Sequence, residues 1–188
     1  VTIGTGTTVT VDAVQSTLTV KTGWAPEDNN AAQHLPDGSS YNSTTGSLGS
    51  GYASVPANYG FGTDKAALVN LSLSQSAQDH FTKIVFTFDA SSGEFIYNQN
   101  STAYSVVVQT VNGQTTVTVT YNANAAGNYT VGSDNFYFRP SGNNSDADVK
   151  LDYQVTVEGR DDNQITYQGS SPITVDAVAD RPTDLELD

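Results

Sequence analysis

Carboxylates gather in four places along this chain, each time among turn-forming residues. Glu27, Asp28 and Asn30 sit in WAPEDNN, with Asp37 following in LPDGSS. Asn144, Asp146 and Asp148 stand two apart in NNSDADVKLD. Glu158, Asp161 and Asp162 fall in EGRDDN, and Asp176, Asp180 and Asp184 punctuate the C-terminal ITVDAVADRPTDLELD. Such side chains, with the carbonyls of turns, are hard oxygen donors, the ligands that calcium collects six to eight at a time. The whole composition leans the same way: 20 acids against 7 bases leave a net charge of −13. Self-repulsion of that size costs stability unless cations neutralise part of it. Several calcium ions are therefore the expected cofactor. The spacing at Asn144, Asp146 and Asp148 imitates the start of a helical calcium loop, but Val149 stands where that loop needs glycine and Val155 where it needs glutamate. A partial site completed by a neighbouring loop and a merely solvated turn both stay open there.

Aromatic side chains accompany the first acidic group. Trp24, Tyr41, Tyr52 and Tyr59 offer flat amphipathic surfaces near Asp37, a combination suited to holding a ligand. A peptide carboxylate or a sugar diol could complete a calcium shell left open beside them. The plainer alternative is that Trp24 plugs the core. Other chemistries are poorly supplied. The acidic balance argues against nucleic acid and anionic membranes as partners. No cysteine is present, which removes disulfides and thiolate sites, and His34 and His80 have no ligand-spaced companions for zinc. No nucleophile elbow accompanies the many serines, and paired carboxylates are too abundant to mark a glycosidase, so no enzymatic activity is expected. No apolar run is long enough to insert in a membrane.

The elements that must carry these residues are strands. Thr7–Val11, Ser16–Val20, Ala67–Leu73, Thr82–Asp89, Glu94–Asn98, Tyr104–Thr110 and Thr115–Tyr121 are rich in β-branched residues, and NYTV, NFYFRP, QITYQG and PITVDAV add to them. Asn112-Gly113 predicts a tight hairpin. From Asp148 to Glu158 the alternation is strict: Val149, Leu151, Tyr153, Val155 and Val157 take one face, and polar residues the other. Ten to twelve short strands with turns between them predict an all-β antiparallel β-sandwich. Lys21 to Asp64 has no sustained periodicity and reads as a long loop-rich insertion. Leu73–Phe81 could hold a short helical turn.

VTVDAV near the N-terminus and ITVDAV near the C-terminus differ at one position. The phrase reads as the end of a domain, with two unrelated edge strands as the alternative, and places the chain in a tandem array: residues 1–14 as an end-of-domain strand or lead-in from a preceding module, 15–178 as the ligand-binding sandwich, and 179–188 as an acidic linker. Calcium held by Asp176, Asp180 and Asp184 with Glu158, Asp161 and Asp162 would stiffen the joint; a solvated linker is the alternative. YFRPSGNNSDADVKLDYQVTVEG followed by ITVDAVADRPT resembles the strand-and-linker phrasing of giant bacterial RTX adhesins, over roughly the last sixty residues and the short N-terminal copy. That resemblance implies an extracellular, surface-anchored string of calcium-stiffened sandwiches that mediates attachment and biofilm formation, with neighbouring modules in the same chain. Size, acidity and the aromatic insertion make this module similar to the calcium-dependent peptide-binding domains of the family, which implies a short peptide or protein C-terminus as partner. A glycan-binding module and a purely structural extender are the alternatives.

Overall fold

A computed structural model describes residues 16–26, 52–61, 65–74, 79–123, 133–141, 147–159 and 163–176. Among them are eleven strands: β1 (Leu18–Thr22), β2 (Trp24–Pro26), β3 (Tyr52–Ser54), β4 (Lys65–Leu73), β5 (His80–Asp89), β6 (Gly93–Ile96), β7 (Tyr104–Val111), β8 (Gln114–Tyr121), β9 (Ser133–Pro140), β10 (Val149–Glu158) and β11 (Gln164–Asp176). One sheet runs β1-β4-β9-β6, with β3 also paired to β4, and the other runs β2-β11-β10-β5-β8-β7. All pairs are antiparallel except β2 with β11. The protein is an all-β sandwich of two sheets, as its strand pattern predicts.

Phenylalanines from both sheets make the centre. Phe86 and Phe88 of β5 meet Phe95 of β6 and Phe136 and Phe138 of β9, with ring centroids 4.5 Å apart for Phe86–Phe95 and 5.1 Å for Phe88–Phe138. Full burial of side chains this size contributes about 1.5–3 kcal/mol each. The alternation read in β10 holds: Val149, Leu151, Val155 and Val157 are buried, and Tyr153 packs against the same core. At the β7–β8 turn Asn112 and Gly113 take φ of 51° and 79°, the left-handed pair that a two-residue hairpin requires.

Two features depart from the sequence-based expectation. QITYQG and PITVDAV are one strand, β11, not two, although Pro172 lies inside it. The Pro172 carbonyl accepts from the Thr22 hydroxyl (2.6 Å), so that residue's backbone faces away from β10 and proline forfeits no ladder bond to it. The insertion is built into the sandwich at both ends. The chain passes from the first sheet to the second at Gly23, between β1 and β2, while β3 returns to pair with β4. After β3, Val55, Tyr59 and Phe61 cover Ala66, Leu68, Ile96 and Tyr137 on the outer face of the first sheet. The ends of the Leu73–Phe81 segment belong to β4 and β5, and the short helical turn it could hold would fall between them. Positions 75–78 lie outside the described residues, as do the expected strands at Thr7–Val11 and in NYTV.

Candidate functional site

The strand register divides the sandwich into two poles. Pairing of β10 with β11 sets Val149 against Ile173 at one end and Glu158 against Gln164 at the other. At the first end, which we call the acidic pole, β2 and β11 finish side by side in the same direction, with Pro26 against Asp176. Asp148 leads into β10 next to them, and Asp89 ends β5 one strand further on. Four neighbouring strands thus open at one pole onto the sequence segments that begin at Glu27, follow Asp176, precede Val149 and follow Asp89.

The described part of this pole holds a cleft of about 380 Å³, lined among others by Asp89, Ser91, Gln114, Asp148, Lys150 and Asp152. Asp148 is exposed. Asp89 accepts from the Ser91 hydroxyl (2.6 Å) and the Ser91 backbone N–H (2.8 Å). Those two bonds hold its carboxyl below the usual range. Asp152 is also held low, first by its hydrogen bond to Lys150 at 2.9 Å. Asp89 and Asp148 thus offer hard oxygens of the right chemistry for calcium. Among the described residues, however, no group of three or more His, Cys, Asp or Glu is arranged to hold a metal. These side chains fit part of a shell, and its remaining oxygens would have to come from the adjoining acidic segments.

At the opposite pole carboxylates are turned inward. Asp134 shares its face of β9 with buried Phe136 and Phe138, which places its carboxylate between the sheets. There it accepts from the Tyr121 hydroxyl (2.8 Å) and the Asn135 N–H (2.8 Å). Burial raises its pKa above the ordinary value, with both hydrogen bonds acting against the rise. Tyr104 stands edge-on to Tyr121 at 5.5 Å, and burial with the nearby Asp134 charge pushes its hydroxyl up to about 12. Asp79, 8% exposed, accepts from the Ser16 N–H (3.1 Å), and the Tyr167 hydroxyl donates to the Ser16 carbonyl. Glu158 accepts from Gln164 (3.0 Å) and lies 3.7 Å from His80.

Of the residues singled out in the sequence, Asp148 and Asp176 come to the acidic pole. Glu158 goes to the other. The 13 residues of β11, at about 3.3 Å each, put its two ends roughly 40 Å apart, so one ion cannot join Glu158 to Asp176 as the joint requires. The aromatic group is likewise divided. Trp24 is half-buried against the main core, whereas Tyr59 packs edge-on to Tyr137 at 5.6 Å on the outer face of the first sheet and donates to the Asn135 carbonyl (3.1 Å). Tyr52 enters β3, its backbone opposite Ala67. Glu27, Asp28, Asn30, Asp37, Tyr41, Asn144, Asp146, Asp161, Asp162 and Asp180 lie outside the described residues.

The inward Asp134 lies just ahead of the NFYFRP strand expected from the sequence and is absent from the candidate residues. The signal was parity: Asp134, Phe136 and Phe138 are spaced by two, so a strand reaching back to Ser133 must point the carboxylate with the rings.

No protein-family description matches the sequence, and no curated protein matches it. Among solved structures, the chain is similar to a cohesin module from a family 33 glycoside hydrolase of Clostridium perfringens, at 16% identity and a TM-score of 0.37, over 60% of this chain and 86% of that one. That likeness assigns no family.

Proposed function

We propose that this chain is a calcium-dependent binding module of a bacterial cell-surface adhesin. In this reading calcium at the acidic pole orders the adjoining segments, and an open ligand position there takes the carboxylate of a short peptide or protein C-terminus. The observation that supports it is the convergence of β2, β11, β10 and β5, whose ends at one pole are where three of the four acid-rich segments join the described strands, beside the exposed Asp89 and Asp148. Calcium sites of extracellular modules work at about 10⁻⁴–10⁻³ M, so incomplete and adjustable shells suffice.

A spacer with no ligand is the reading favoured by one specific observation: Trp24 and Tyr59 are engaged in packing on different faces of the molecule. The two are separated by a peptide titration with and without chelator. Calcium-dependent binding that is lost on amidating the peptide's C-terminus supports capture. Competition by simple sugars instead would make the ligand a glycan. A calcium-stabilised fold that binds neither is a spacer, and a melting temperature indifferent to chelator removes calcium from all of these readings.

A further inference from the structure

The large apolar side chains left most exposed among the described residues all belong to one strand: Val107 (55%), Val108 (48%) and Val111 (64%) of β7. β7 is the outermost strand of its sheet and, among the described residues, pairs with β8 alone. Edge strands ordinarily carry a lysine, a proline, a bulge or an inward charge against further pairing. Tyr-Ser-Val-Val-Val-Gln-Thr-Val carries none of these, and its register with β8 is unbroken. The backbone groups of β7 that have no strand partner among the described residues can be assigned. Asn122 N–H donates to the Ala103 carbonyl (2.7 Å) and the hairpin closes at Val111 opposite Gln114, so odd-numbered residues face β8. Tyr104, Val106, Val108 and Thr110 then turn N–H and C=O to the open edge.

We propose that this edge binds a second copy of the chain, β7 pairing antiparallel with its counterpart about a two-fold axis at Val107. Charge favours a copy meeting here. The chain carries −13, yet no residue from Phe95 to Ser133 is charged, so neither β7 nor β8 brings a charged side chain of its own to the contact. The strand is also self-complementary, as a two-fold contact requires. About Val107, Val106 faces Val108 of the other copy, Ser105 faces Gln109, and Tyr104 faces Thr110, while both Val107 side chains meet in a non-hydrogen-bonded pair. The exchange satisfies the open edge and covers Val107 and Val108. It also closes on itself, because the far edge of the same sheet is the three-residue β2. One strand pair buries far less than the roughly 1,600 Å² of a standard interface, so the dimer is weak, with a dissociation constant of about 10⁻⁵–10⁻³ M.

The chain has no cysteine, so a single introduced thiol reports the register. Across the axis, two residues at position 107 have Cα atoms about 4.5 Å apart, within disulfide reach. Two at position 111 lie about 27 Å apart, although Val111 is the more exposed. Under mild oxidation Val107→Cys should form a covalent dimer while Val111→Cys stays monomeric. The unmodified chain should sediment as a reversible dimer in calcium and in chelator alike, and Val107→Lys should weaken it about tenfold or more. A chain that stays monomeric up to about 1 mM overturns the proposal and leaves the edge to a foreign strand. Cross-linking of position 111 as fast as position 107, or open-ended polymers, overturns it as well. A dimer seen only with calcium would be bridged at the acidic pole instead, which separates this proposal from the one above.

Discussion

The two poles of the sandwich use the same side chain for opposite purposes. At the acidic pole Asp89 and Asp148 point to solvent, with Asp89 held in its ionised form by Ser91. At the other, Asp134 and Asp79 are folded inward and matched to Tyr121 and to the Ser16 backbone. The difference teaches where an acidic protein can recruit a cation. A carboxylate already bonded inside the sandwich is a structural acceptor, and its count inflates the net charge without adding a ligand. At the acidic pole Asp89 and Asp148 are displayed to solvent at low energetic cost, with one Asp89 oxygen bonded to Ser91.

The inward pole should be the more sensitive to substitution. Tyr121→Ala removes a ring packed against Phe81 and Tyr104 together with the bond to Asp134. It should cost about 3–5 kcal/mol in urea unfolding, and Tyr121→Phe, which deletes only the hydroxyl, about 1–3 kcal/mol. Equal effects from the two would mean the bond contributes everything and the ring nothing.

Calcium should act at the other pole and by less. At a concentration one hundred times its dissociation constant, a single ion that binds only the folded chain adds about 2.7 kcal/mol, readable as a higher melting temperature. Asp89→Asn with Asp148→Asn should shrink that increment. In chelator the same double variant should stay within about 0.5 kcal/mol of the parent, because neither side chain supports the core. A loss in chelator comparable to that of Tyr121→Phe would erase the contrast between the poles.

The pH response sharpens it further. An acid whose pKa is higher folded than unfolded keeps its proton in the native state at pH values where the unfolded chain has lost it. Stability contributed by Asp134 therefore falls as pH rises from its ordinary 3.8 through the raised native value, and its charge is a net cost at neutrality. Asp134→Asn, still able to accept from Tyr121, should flatten that slope in denaturation measured across acid pH. The smallest effect lies at the alkaline end. With Tyr104 at about 12 against an ordinary 10.0, stability should decline between those values, and Tyr104→Phe should remove that part of the decline.

Much of the framework is legible in the sequence. β10 declares itself by alternation, the β7–β8 hairpin by Asn112-Gly113, and β4, β5 and β8 by their β-branched runs, because these signals are local. β2 and β3 were not readable: three residues each, they are strands only because a neighbour supplies the hydrogen bonds. Pro172 misled for a related reason, since whether a proline breaks a strand depends on which way its nitrogen faces. The functional residues followed the same division. That Asp148 and Asp176 are oxygen donors is written in the chain; that they share a pole while Glu158 sits at the other end of β11 is a matter of register.

By itself the sequence determined that this protein is a β-sandwich with surplus carboxylate, because period-two patterning and charge are properties of residues and their immediate neighbours. Only the tertiary structure decided which acids are spent inside, which face outward together, and which strand is left as an uncharged edge. Those outcomes depend on pairing between segments far apart in the chain. A shift of one residue in any of those ladders would turn each side chain to the opposite face.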